Sequence, residues 1–304
     1  MPYVSFIMIC FIWGSSFILM DRALAALGPV EVAIARLLSG ATVVGCCWYF
    51  SRPPARFTCV QWAHIGLVAC LSNTLPFVIQ PYLLGQGFGH SFFGTMVALV
   101  PLATILVSIP MLGIWPSRRQ TVGVVGGFIC VAALMHDGSI RGMSLGLLAL
   151  AVSVPMSYAF GNTYIRWKLN DLPAEPLTAL FLGLGGLMLV PLELMPGVLQ
   201  QLHMSRPATP HHWPLALAAI GLLGIVGTGM TILVFIRLIQ RQGPLFAGMV
   251  TYIIPVIALL WGYVDGESIS SQQMIAIAGV LAMVGLVQWG AAERVEIPDS
   301  RVQS

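Results

Sequence analysis

The chain has 304 residues, of which 58% are hydrophobic and only 8% charged. A water-soluble domain carries roughly a quarter charged residues, so fourteen Lys and Arg with eleven Asp and Glu cannot solvate a soluble surface of this size. That excludes a water-soluble globular fold and makes lipid the natural solvent, where the placement of charge matters more than the net value of +3.

A helix needs about 20 apolar residues to cross the hydrocarbon core. The run from Tyr3 to Met20 is preceded by no Lys or Arg, unlike a secretory signal, and reads as a first retained span. Further spans are predicted near Val30–Phe50, Trp62–Leu84, Ser91–Leu112 and Thr121–Met135. A second set follows near Met143–Ile165, Pro176–Leu194, Trp213–Ile236, Pro244–Val264 and Met274–Ala291. Five cysteines (Cys10, Cys46, Cys47, Cys70, Cys130) fall inside spans and Cys59 in a short loop; they read as small buried apolar residues.

With the N-terminus on the cytoplasmic side, the inner connections and tail hold Arg52, Arg56, Arg118, Arg119, Arg166, Lys168, Arg237, Arg241, Arg294 and Arg301. The outer side keeps only Arg22, Arg141 and Arg206. This positive-inside bias puts both termini in the cytoplasm. Compactness suggests a bacterial inner membrane.

The chain also resembles itself. Adding 153 to a residue number lays spans 3–5 on spans 8–10: Tyr82 on Phe235, Phe93 on Phe246, Met96 on Met249, Gln120 on Gln273 and Gly126 on Gly279. Pro101 and Pro255 miss that offset by one residue. Basic Arg118-Arg119 faces uncharged Ser271-Gln272, and the Arg-free turn Gly85–His90 corresponds to the turn with Arg237 and Arg241. Aligned loops thus lie on opposite membrane faces, as five spans per half require. The expected fold is all-α, ten transmembrane helices in two inverted five-helix repeats, residues 1–140 and 141–304 with a short tail. Inverted repeats are a device of secondary transporters, with the site at the midplane between the halves.

The sequence resembles the drug/metabolite transporter superfamily, in particular its ten-helix members with two EamA-type halves. The likeness is carried by Ile12-Trp13-Gly14-Ser15-Ser16-Phe17, by Arg36, and by Arg237-Leu238-Ile239-Gln240-Arg241-Gln242-Gly243-Pro244 with Pro255. Gly266-Glu267-Ser268-Ile269, leading to Gln273 and Gly279, completes it. Gly113-Ile114-Trp115-Pro116-Ser117 departs from the Gly-Glu pair such halves often carry. The charged residue that small multidrug-resistance relatives keep in helix 1 is missing, which weakens a reading as a proton-driven exporter of cationic drugs. The resemblance implies export, or in some members uptake, of amino acids, nucleobases or related metabolites through a central cavity. It also implies that helices 5 and 10 are peripheral.

Candidate site residues follow from polarity and broken backbone at membrane depth. Pro101 and Pro255 form a paired interruption, read either as hinges beside a site or as packing kinks. Asn73, Pro76, Gln80 and Pro81 make a second interrupted polar stretch, where Asn73 and Gln80 either bind solute or bridge helices. Arg36 is the basic residue well inside a span, about 9 Å from its outer end at about 1.5 Å per residue. It either snorkels outward to Glu31 or Asp21, or anchors a substrate carboxylate or phosphate. Trp13, Ser16, Met96, Tyr158, Asn162, Thr228, Thr231 and Tyr252 complete the candidates, since a transport cavity needs aromatic walls and a few polar groups. Gly123 and Gly127 form a GxxxG that reads as helix packing.

No Asp or Glu falls mid-span; Glu31, Glu193, Asp265 and Glu267 sit near outer ends. Neutral, zwitterionic or anionic solutes therefore fit better than cations. His203, His211 and His212 share a Pro-rich loop without supporting ligands, so no metal site is expected, and no cofactor. Gly142-Met143-Ser144-Leu145-Gly146 matches a nucleophile elbow but opens a membrane helix and reads as chance. Nothing marks nucleic-acid binding; the expected partners are a small solute and the bilayer, with a homodimer open. The alternatives are a non-transporting sensor or structural subunit, and an intramembrane enzyme.

Overall fold

The computed structural model describes residues 2–53, 56–88, 90–135, 144–264, 266 and 270–292. Arg141, Gly142, Met143, Asp265, Glu267, Ser268, Ile269, Arg294 and Arg301 lie outside the described residues. Every regular element among those described is helical.

The first half comprises α1 (Tyr3–Leu24), α2 (Pro29–Ser51) and α3 (Cys59–Gly85), then α4 in two pieces, His90–Val97 and Val100–Leu112, and α5 (Arg118–Met135). The second comprises α6 (Leu145–Lys168), α7 (Ala174–Glu193), α8 (Trp213–Gln242), α9 (Pro244–Val264) and α10 (Ser271–Ala292), with a short helix Pro196–Gln201 before α8. Among the described residues, seven of these (α1, α2, α3, α6, α7, α8 and α9) are long and apolar enough to span a membrane singly.

Local sequence sets the starts. Thr58 and Gln61 close a reciprocal capping box at α3, and Ser117 and Gln120 repeat it at α5, where the Gln120 side chain accepts from Ser117 N at 2.8 Å. At α2, Glu31 reaches back to accept from Gly28 N at 2.8 Å. The α8 helix runs six residues past its predicted end at Ile236, because Leu238 and Ile239 stay buried while Arg237 pairs with Glu175 of α7.

The halves pack by exchange. Three helices meet their own counterparts: α2 with α7, α4 with α9, and α5 with α10. The remaining contacts come in matched pairs, α2–α8 with α7–α3 and α1–α9 with α6–α4. Contacts that survive swapping the halves define a pseudo-twofold axis, and an odd number of helices per half makes the repeat inverted.

Backbone irregularities repeat as well. A π-helical stretch runs from Ala69 to Thr74 in α3 and another from Leu223 to Met230 in α8. In each, a threonine hydroxyl returns five residues to a carbonyl at 3.0 Å, Thr74 to Ala69 and Thr228 to Leu223. The wider turn frees carbonyls from the helical ladder, and in lipid such groups need a partner. Helix α4 breaks at Ala98-Leu99 and α9 at Met249, each through a tight bond three residues back (Leu99 N to Met96 O, Tyr252 N to Met249 O). Helix α1 breaks at Ser15, whose hydroxyl accepts from Trp261 Nε1 at 2.9 Å.

The cysteine expectation needs correction. Only Cys10 is buried; Cys46, Cys59 and Cys70 are exposed, because their helix faces turn away from the bundle. In lipid an exposed thiol loses little, so burial is not required of it.

Candidate functional site

Eight helices, all but α5 and α10, enclose a central cavity. It holds about 840 Å³ of space free of protein atoms, the open mouth included. The π-helical stretch of α3 and the breaks of α1, α4 and α9 lie at or beside its wall, so the fold spends its irregular backbone where a cavity can use it.

One face of α1 lines the cavity with Trp13, Ser16, Phe17 and Met20, at the i, i+3, i+4, i+7 spacing of a helical stripe. Trp13 donates from Nε1 to Gly227 O at 3.0 Å, satisfying a carbonyl of the α8 π-segment, and its ring meets Phe235 edge-on at 4.7 Å. Helix α3 contributes Ser72, Asn73, Phe77 and Gln80. Ser72 donates to Ser157 O of α6 at 3.3 Å. Asn73 is 4% exposed and its Nδ2 has no hydrogen-bond partner.

Arg36 enters from α2 and is 5% exposed. Its Nε donates to Thr228 Oγ1 at 3.4 Å, Nη1 lies 3.7 Å from the Met20 sulfur, and Cζ stands 4.3 Å from the centre of the Phe77 ring. Tyr158 is within electrostatic reach. Among the described residues, no carboxylate stands within ion-pair distance of Arg36. Both partners considered for snorkelling are engaged elsewhere: Glu31 takes Arg206 through two oxygens, at 2.6 and 2.7 Å from Nε, and Asp21 pairs with Arg22 at 3.1 Å. The Arg206 guanidinium, in the α7–α8 connection, is held above its ordinary range by the hydrogen bond and charge of Glu31.

Of the sequence candidates, Trp13, Ser16, Arg36, Asn73, Gln80, Tyr158 and Asn162 line this cavity together. Thr228 stands behind the wall and holds Arg36. Met96 lines a smaller void beside Gln80 and Phe93. Thr231 is buried and bonds back to Val226 O, and Tyr252 turns to α5, donating to Val124 O at 3.2 Å across Gly127. Neither lines the cavity; the internal contact absorbs each hydroxyl. The GxxxG glycine Gly127 makes room for the Tyr252 ring, 2.9 Å from where a Cβ would stand.

The three prolines stand beside irregular backbone in different ways. Pro76 is the second residue after the α3 π-stretch, and Pro101 the second residue of the resumed α4. Pro255 lies within α9, six residues beyond its break at Met249. Sequence reasoning passed over Phe17, Met20, Phe77, Thr251 and the Ile232–Phe235–Ile236 face of α8. A signal existed for Phe77, which falls between Asn73 and Gln80 at the i, i+4, i+7 spacing of one helical face.

An all-helical, multi-pass bundle folded as two exchanged halves around a mostly apolar cavity with a buried cation is a membrane-transporter architecture. The model of the EamA-like transporter family matches residues 1–135 and again 145–288, so the chain belongs to the EamA-like transporter family. An Escherichia coli protein described as "Uncharacterized inner membrane transporter YedA" is 25% identical over 286 residues, covering 92% of this chain and 88% of its own length. An "Uncharacterized transporter" of Archaeoglobus fulgidus is 21% identical over 286 residues, covering 90% of this chain and 92% of its own. A solved structure titled "Crystal structure of protein" superposes with a TM-score of 0.73 at 16% identity, over 97% of this chain and 99% of that one, and shares the fold.

Proposed function

We propose that the chain is a secondary transporter that exports a small metabolite across a bacterial inner membrane by alternating access, with both termini in the cytoplasm. The solute belongs among small neutral, zwitterionic or anionic compounds, a range that includes amino acids and nucleobases. One observation carries the reading: a buried guanidinium with no carboxylate partner among the described residues faces a cavity on the seam between two exchanged halves. A charge inside the bilayer costs at least ~2.5–3.5 kcal/mol and is retained where it faces a pathway or partner.

Within this reading Arg36, Asn73, Gln80, Tyr158 and Asn162 contact the solute, and Trp13, Ser16 and Phe77 shape its surroundings. Thr228 positions Arg36. The breaks of α4 and α9, with Pro101 and Pro255 near them, are where the halves flex.

The test is mass spectrometry of the medium and cell extract of cells carrying this chain, an empty vector, or Arg36→Gln at equal membrane abundance. A metabolite enriched in the medium by the first and not by the third supports the proposal. Identical media and extracts in all three contradict it. A fluorescent-protein fusion at the C-terminus tests the topology, since it lights only if that end is cytoplasmic.

A further inference from the structure

We infer that the transported solute is a monocarboxylate anion with an apolar body, rather than an amino acid or a phosphate ester; this rests on the transport reading above. Two donor groups at the cavity stand short of acceptors. Arg36 has a hydroxyl, a thioether and an aromatic face around it, none of them an anion. Asn73, also buried on the wall, leaves its Nδ2 amide without an acceptor. An unmade buried donor is costly, and a ligand that supplies acceptor oxygens relieves it. A carboxylate meets a guanidinium through two parallel bonds.

The same wall argues against the other two classes. None of its described residues is Asp or Glu, so the ammonium of an amino acid meets no counter-charge among them. Arg36 is the sole Arg or Lys among its described residues, so a phosphate ester, near two negative charges at neutral pH, would keep one uncompensated there. Most of the rest is apolar or aromatic, with Phe181, Ile232, Phe235 and Ile236 offering a surface for a hydrocarbon group.

The experiment uses the purified full-length chain in lipid nanodiscs and four probes built on similar branched hydrocarbon bodies: 4-methylpentanoate, 4-methylpentanamide, leucine and 3-methylbutyl phosphate. Binding is read as saturable change in tryptophan fluorescence and as a rise in unfolding temperature. The expected result is binding of 4-methylpentanoate at least about ten-fold tighter than the other three, the scale of a charged hydrogen bond. Arg36→Gln removes it, Arg36→Lys keeps part of it, and Asn73→Asp, which sets a like charge in the site, abolishes it in a protein that still folds. Equal or tighter binding of the amide, leucine or the phosphate overturns the inference, as does unchanged binding by Arg36→Gln or no binding of 4-methylpentanoate. Export of an amino acid or phosphate ester in the medium experiment would also overturn it while leaving transport intact; unchanged media would overturn transport itself.

Discussion

Gly40 of α2 and Gly229 of α8 touch backbone to backbone. A Cβ built on Gly229 would lie 2.9 Å from Gly40 O and 3.0 Å from Gly40 Cα, and one on Gly40 would lie 3.1 Å from Gly229 N. Small residues let helices approach this closely in lipid, where packing supplies much of the association. The crossing lies four residues beyond Arg36 on α2 and one beyond Thr228 on α8, so it sets the spacing across which those two side chains meet. Gly229→Ala is expected to destabilise the protein by about 1–3 kcal/mol, the cost of overpacking against a rigid backbone. Gly221→Ala, on the same helix with open space around it, should be close to neutral. Thermal unfolding of the two variants in detergent checks the contrast.

The ring of Phe77 supports the Arg36 guanidinium. Replacing it by Leu keeps the apolar bulk and removes the cation–π contact, worth about 0.5–2 kcal/mol. Phe77→Leu should fold normally and weaken apparent affinity for the exported solute, visible as a higher intracellular concentration needed for half-maximal export. Unchanged half-saturation would detach Phe77 from the site.

Glu31 belongs to Arg206 rather than to Arg36. Glu31→Gln should therefore leave export near wild type and lower stability by no more than about 1 kcal/mol, as for an exposed ion pair. Arg36→Gln should stop export with its folding retained. Were Arg36 merely snorkelling to the interface, its loss would leave export unchanged; the two variants separate the readings in one assay.

Tyr252 tests the corrected placement. Its hydroxyl is spent on Val124 O in the contact between α9 and α5. Tyr252→Phe should cost about 1 kcal/mol of stability, the scale of a buried hydrogen bond, and leave export kinetics unchanged. A changed solute preference would return Tyr252 to the cavity.

The fold was legible because lipid imposes simple rules: long apolar runs must be helices, and their number with the loop charges gives the inversion. The cavity wall was legible only where polarity at membrane depth is unusual, as for Arg36, Asn73 and Gln80. Tyr252 and Thr231 misled because a polar group on a span looks the same whether it meets solute or a neighbouring carbonyl. Phe235 stayed hidden for the converse reason: one more aromatic residue among apolar residues carries no mark of facing a cavity. The break at Met249 has no proline at it and cannot be read from residue type.

The most direct test of a cavity that opens to each membrane face in turn is the accessibility of its wall. Ser16 lines the cavity and is 6% exposed. In a chain with its six native cysteines replaced, Ser16→Cys would be treated with a membrane-impermeant maleimide in right-side-out and in inverted vesicles. Alternating access predicts labelling from both faces, slowed by the transported solute. Labelling from one face alone, however long the exposure, would contradict it.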